Sequence, residues 1–149
     1  MIIRPALPAD RDALLDIWLR SVRATHAFLT EEDVQALLPV VRDVALVQME
    51  MWLLCADGGT PVGFLGLSGS HVEAMFIAPE WQRRGGGRMM IEHARRLRGE
   101  LTVDVNEQNP EAVKFYQACG FTVVGRSETD SDGRPFPILH MSEITAEFV

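Results

Sequence analysis

Val72-Glu73-Ala74-Met75-Phe76-Ile77-Ala78-Pro79-Glu80-Trp81-Gln82-Arg83-Arg84-Gly85-Gly86-Gly87-Arg88-Met89-Met90 passes from an apolar run through glycines into a helical pattern. The run reads as a strand over 72–78, ended by Pro79, and the helix is expected over 84–98 with Met89, Met90, Ala94 and Leu97 available for burial. A strand that turns through glycines into a helix start presents unpaired N–H groups at the positive end of the helix dipole. Such an end suits phosphate. Two other phosphate-binding patterns fit less well. A Walker A loop needs Lys and then Ser or Thr after its last glycine, and Arg88-Met89 stand there. A dinucleotide fingerprint needs a third glycine where Met90 lies.

The flanking sequence extends the alternation of strands and helices. Residues 1–4 read as a first strand, and Pro8-Ala9-Asp10 opens a helix whose Leu14, Leu15, Trp18 and Val22 recur at core spacing. A second helix is expected over 31–38, with Thr30 and Asp33 as a capping pair. Strands over 48–56 and 61–68 flank the turn Asp57-Gly58-Gly59-Thr60. A strand over 101–105 precedes a helix over 110–119, with Asn109 as N-cap and Gly120 as stop. Final strands are expected over 121–124 and 138–141. The order is β-α-α-β-β-β-α-β-α-β-β. It implies an α/β fold with helices on both faces of a mixed, mostly antiparallel sheet, and one parallel pair across the 84–98 helix.

The chain has 149 residues, which suggests one domain over 1–149. Its net charge is −7, so nucleic-acid binding is not expected. Arginine is nonetheless concentrated at Arg83, Arg84, Arg88, Arg95, Arg96 and Arg98, and Lys114 is the only lysine. A local basic patch on an acidic protein suits a small polyanion. Cys55 and Cys119 make neither a disulfide framework nor a zinc site. His26, His71, His93 and His140 lack metal-ligand spacing, so no metal is expected. No signal-peptide pattern or membrane-length apolar run is present, and a cytoplasmic monomer or homodimer is the expectation.

Two motifs now carry a resemblance. Gln82-Arg83-Arg84-Gly85-Gly86-Gly87 resembles the [Gln/Arg]-x-x-Gly-x-[Gly/Ala] signature of the GCN5-related N-acetyltransferases, and Asn109-Pro110-Glu111-Ala112-Val113-Lys114-Phe115-Tyr116-Gln117-Ala118-Cys119-Gly120-Phe121 resembles their Asn-x-x-Ala-x-x-x-Tyr-x-x-x-Gly-Phe run. Trp18-Leu19-Arg20-Ser21-Val22, Ala24-Thr25-His26, Phe28-Leu29 and Gly125-Arg126-Ser127-Glu128 are similar to the bacterial YjaB-type members. The likeness covers nearly the whole chain and is weakest over 37–48.

The resemblance implies acetyl-coenzyme A as co-substrate, held by Met75, Phe76, Ile77, Gln82, Arg83, Arg84, Gly85, Gly86, Gly87, Arg88, Asn109 and Tyr116. It implies direct transfer to a primary amine of a small molecule or peptide. A backbone N–H among Met75–Ile77 would support the acetyl oxygen, and Tyr116, the only tyrosine, would protonate the leaving sulfur. The base is Glu73 or His71, or the two as a pair, because alternation puts His71, Glu73, Met75 and Ile77 on one face. Trp18, Arg20, Ser21, His26, Phe28, Arg126 and His140 are the expected acceptor-side residues. Trp18 and Phe28 also suit the core, and Arg20 and Arg126 either hold an acceptor carboxylate or pair with neighbouring acids. Cys119 is a minor alternative as covalent nucleophile. A coenzyme-binding regulatory module and an acetyltransferase of aminoacyl-tRNA are the competing functions.

Overall fold

The computed structural model describes residues 1–45 and 49–143. Strand β1 (Ile2–Pro5) leads through a short 3-10 turn into α1 (Arg11–Thr25) and then α2 (Glu31–Val40). β2 (Glu50–Cys55), β3 (Pro61–Ser68) and β4 (His71–Ile77) follow, then α3 (Gly86–Arg98), β5 (Thr102–Asn106), α4 (Pro110–Ala118), β6 (Thr122–Ser127) and β7 (Ile138–Ser142). The seven strands form one sheet in the order β1-β2-β3-β4-β5-β7-β6. Among the described residues only β4 and β5 pair in parallel. Gln48, expected at the head of β2, lies outside the described residues.

The caps act as the sequence predicts. Thr30 accepts from the Asp33 N–H while Asp33 accepts from the Thr30 N–H. Asn109 accepts from the Ala112 N–H at the start of α4. α3 begins two residues later than the expected 84, because Arg83 (φ 62°) and Gly85 (φ 86°) are left-handed and cannot continue a right-handed helix. Its buried stripe is also rotated. Met90, Ile91 and Ala94 are buried, whereas Leu97 is exposed.

Two apolar clusters lie on opposite faces of the sheet. α3 and α4 cover one face and bury Leu54, Leu65, Val72, Val103, Val105 and Met141. α1 and α2 cover the other over Leu53, Cys55 and Phe64, with Leu14, Ile17, Trp18 and Val22 supplying the α1 side. Trp18 is therefore core and not acceptor pocket.

The feature that positions the site is the short β4–β5 contact. Its register comprises His71↔Thr102 and Val72↔Val103. The next residue, Glu73, has no counterpart on β3, where Gly66 faces Ala74 and Leu67 faces Val72. Glu73 is thus the extra residue of a β-bulge, which bends β4 away. The bulge also breaks the expected alternation. Val72, Met75 and Ile77 pack toward α3 and α4, while Ala74 and Phe76 pack toward α1 and α2. His71, beside Val72, projects to the α1/α2 side and does not share a face with Met75 and Ile77.

Phe64 is fully buried on the α1/α2 face, in ring contact with Phe76 at 5.4 Å. Phe64→Ala should destabilise the chain by about 3–5 kcal/mol in chemical denaturation. A cost below about 1 kcal/mol would contradict this account of the core.

Candidate active site

Two adjoining cavities lie where β4 and β5 part. The larger, of about 580 Å³, sits against the start of α3 and is lined by Gln82, Arg83, Gly85, Gly86, Gly87 and Arg88 on one side and Asn109, Lys114, Phe115 and Tyr116 on the other. The smaller, of about 170 Å³, occupies the gap in the sheet and is lined by Glu73, Phe76, Asp104, Asn106 and Tyr116. His26, Met75, Phe76, Asn109, Ala112 and Tyr116 line both, so the two lie side by side at the gap.

The Gly-rich loop forms a cradle. The first hydrogen bond into α3 runs from the Met89 N–H to the Gly85 carbonyl, so the amides before it point out of the helix end. A Cβ at Gly87 would stand 2.8 Å from Phe115 Cζ, and one at Gly86 would stand 2.7 Å from Leu54 Cδ2. A side chain at either position would have to displace Leu54 of β2 or Phe115 of α4, so glycine lets the loop pack closely against both. Arg83, Arg88 and Lys114 add positive charge at the mouth. Arg84 does not. Its guanidinium stacks over the Trp81 ring at 4.7 Å, outside the cavity lining.

The β4 edge facing the gap is held in place by side chains. The Ala78 N–H donates to Val62 on the β3 side. Alternation then turns the Ile77 and Met75 backbone toward the gap. The Ile77 carbonyl accepts from Ser21 Oγ at 2.7 Å and from Gln82 Nε2 at 3.1 Å, which fixes this edge to α1 and to the loop. Ser21 is buried and lines the larger cavity.

Tyr116 is buried between Phe115 and Phe121, with edge-on ring contacts at 5.2 and 5.4 Å. Burial raises its phenol pKa well above the ordinary value, so the hydroxyl keeps its proton throughout the working range. Cys119 is buried and its thiol is likewise pushed up by desolvation, which removes thiolate character from the covalent alternative.

The remaining expected residues separate into those at the gap and those elsewhere. Glu73 is exposed and lines the smaller cavity. His71 lines neither cavity and does not pair with Glu73. Its Nδ1 meets Thr102 Oγ1 at 2.6 Å and its Nε2 lies 3.4 Å from Asp104 Oδ2. Arg20 is paired with Asp16 and Glu80, and Arg126 with Glu107, so both arginines serve neighbouring acids and not an acceptor carboxylate. His140 bonds Asp104 and Ser127. His26 packs on Phe28 at 5.3 Å and on Phe76 at 6.2 Å, and Phe28 reaches Phe136 at 5.7 Å. That aromatic chain ties the α1–α2 connection to the β6–β7 connection.

Sequence reasoning missed Asp104 as a lining residue, and placed Lys114 only within the expected coenzyme-binding segment 109–116. Asp104 carried only the alternation of β5, which turns it away from the buried Val103 and Val105. Among the described residues no group of three or more His, Cys, Asp or Glu side chains is arranged to hold a metal. Among them, too, no helix is long and apolar enough to cross a membrane.

Comparison with known proteins agrees with this geometry. The family model described as an acetyltransferase (GNAT) domain matches residues 48–123. The chain is 43% identical over 144 residues to the peptidyl-lysine N-acetyltransferase YjaB of Escherichia coli, covering 97% of each. The chain belongs to the GNAT acetyltransferase family. The solution structure of apo-form YjaB from Escherichia coli matches the fold with a TM-score of 0.89 at 42% identity, over 98% of this chain and 100% of that one. The PaiA N-acetyltransferase of Thermoplasma acidophilum, solved in complex with coenzyme A, matches at TM-score 0.77 and 19% identity over 93% and 96% of the two chains, a likeness of fold. The expected α/β architecture and the enzyme class are thereby shown.

Burial pulls the His26 pKa down to about 4. The unfolded ring titrates at about 6.5, so between those values the unfolded acetyltransferase binds the extra proton. Stability linked to His26 is complete above about pH 6.5 and is lost as pH falls toward 4. NMR titration should place the His26 midpoint near 4, and His26→Gln should flatten stability across that window. A midpoint near 6.5 would contradict the burial.

Proposed function

We propose that the chain moves the acetyl group of acetyl-coenzyme A directly to the side-chain amine of a peptidyl lysine. The observation that carries this reading is the gap after Val72 and Val103, at which the Gly-rich cavity on the α3/α4 side and the small cavity beside Glu73 share lining residues. Two substrates on opposite faces meet there. The relative YjaB bears the name peptidyl-lysine N-acetyltransferase, which favours lysine over other amines.

The residues fit the cofactor. The phosphates suit the amides of Gly86, Gly87 and Arg88, with Arg83, Arg88 and Lys114 adding charge. Asn109 and Phe115 border the path from this cradle to Tyr116. Bound there, the cofactor supplies an activated acetyl thioester.

This chain's residues meet three demands. The Met75 and Ile77 N–H groups face the gap and suit the acetyl oxygen as its charge grows. Tyr116, kept protonated by burial, donates at its hydroxyl toward the departing sulfur. A lysine amine is charged below a pKa of about 10.4 and must first release a proton. Glu73 lies in the small cavity and receives it, directly or through water. His71, turned to Thr102 and Asp104, does not.

Tyr116→Phe keeps the ring and removes the donor. Its folding and coenzyme A binding should persist, and turnover on a lysine peptide should fall roughly 10²–10⁴-fold, followed by thiol release and mass spectrometry. Turnover near the parent value, with chemistry rate-limiting, would remove the role. Arg83→Ala/Arg88→Ala should weaken coenzyme A in calorimetry and flatten its salt dependence. Unchanged affinity would remove those arginines from the phosphate site.

A further inference from the structure

Asp104 on β5 is held by two imidazoles from different strands. His140, its direct partner on β7, places Nδ1 at 2.7 Å from Asp104 Oδ1. His71, whose partner on β5 is Thr102, places Nε2 at 3.4 Å from Asp104 Oδ2. The Asp104 carboxylate accepts from His140 Nδ1–H, and His71 Nε2 stands beside its other oxygen at the longer separation. The other ring nitrogen of each histidine meets a hydroxyl. Ser127 Oγ lies 2.7 Å from His140 Nε2, and Thr102 Oγ1 lies 2.6 Å from His71 Nδ1. Two hydroxyl–imidazole pairs thus converge from opposite sides on one carboxylate, His140 in hydrogen bond and His71 close by.

This arrangement fixes Asp104, and each carboxylate oxygen keeps a free lone pair. Asp104 lines the small cavity together with Glu73 and Tyr116. The cation for such a site must carry its own N–H donors and fit a cavity of about 170 Å³. A primary alkylammonium meets both conditions.

We infer that Asp104, clasped by His71 and His140, binds the ammonium group of the acceptor before the proton is lost. This rests on the reading that the acceptor is a primary amine. Asp104 holds the charged amine on the α1/α2 side of the gap, and His71 and His140 are positioning residues that act through it. The cluster would thereby select a protonated, unbranched amine over a neutral alcohol of the same length.

The test needs neither acetyl-coenzyme A nor turnover. n-Butylammonium is titrated into the full chain while the ring C–H signals of the four histidines, assigned from single His→Gln variants, are followed by NMR. His71 and His140 signals should move saturably with n-butylammonium and stay fixed with 1-butanol. Asp104→Asn, the same shape without the charge, should weaken the ammonium at least tenfold, whereas Glu92→Gln on α3, which lines neither cavity, should leave the His71 and His140 shifts in place. His140→Gln provides a second variant, in which the His71 signal should still move. Static His71 and His140 signals at saturation, or equal affinity in Asp104→Asn, would overturn the inference. With a lysine peptide and acetyl-coenzyme A, Asp104→Asn should raise KM more than it lowers kcat. Absence of any acetylation would count against the proposed reaction and leave the ammonium result standing.

Discussion

Two cross-strand pairs between β4 and β5 constrain the rest of the molecule. A sheet continuously paired between these strands would wall the α3/α4 face off from the α1/α2 face. The bulge at Glu73 ends the pairing after Val72 and Val103, and the sheet opens between its two halves. The Gly-rich cradle, the free β4 edge, Tyr116 and Glu73 all take their roles from that opening. The cost is unpaired strand edge. Ser21 and Gln82 offset part of it by bonding the Ile77 carbonyl.

Burial then sets the chemistry of groups that look ordinary in sequence. Tyr116 sits among Phe115, Phe121 and the core of the α3/α4 face, and desolvation keeps its phenol protonated. His26 lies against Phe28 and Phe76, and desolvation keeps its imidazole neutral. One environment preserves a hydroxyl donor and the other removes a positive charge from the cavity lining. Both effects follow from the same aversion of charge to apolar surroundings.

Much of the fold was legible in the sequence because its determinants are local. The Asp57–Thr60 turn, the Thr30–Asp33 capping pair, the Asn109 cap and the stop at Gly120 (φ 102°) each depend on a few neighbouring residues. The Gly-rich motif located the cradle for the same reason. What stayed hidden depends on distant partners. An extra residue at Glu73 is visible only against Gly66 and Leu67 on β3, and without it His71 reads onto the wrong face. Arg20 finds Glu80 sixty residues away, and Arg126 finds Glu107 across the sheet. Asp104 meets His140 only once β7 inserts between β5 and β6. Leu97 failed for a smaller reason. The stripe that meets the sheet runs through Met90, Ile91 and Ala94 and leaves Leu97, near the helix end, exposed.

The central claim is that both substrates reach one another through the gap between β4 and β5. A crystal structure of the chain with a conjugate joining coenzyme A to a lysine side chain tests it most directly. The account predicts phosphates at Gly86–Arg88, the linking bond between the Met75–Ile77 backbone and Tyr116, and the lysine leaving past Glu73 and Asp104. A conjugate whose lysine arm stays on the α3/α4 face, with the gap empty, would contradict it.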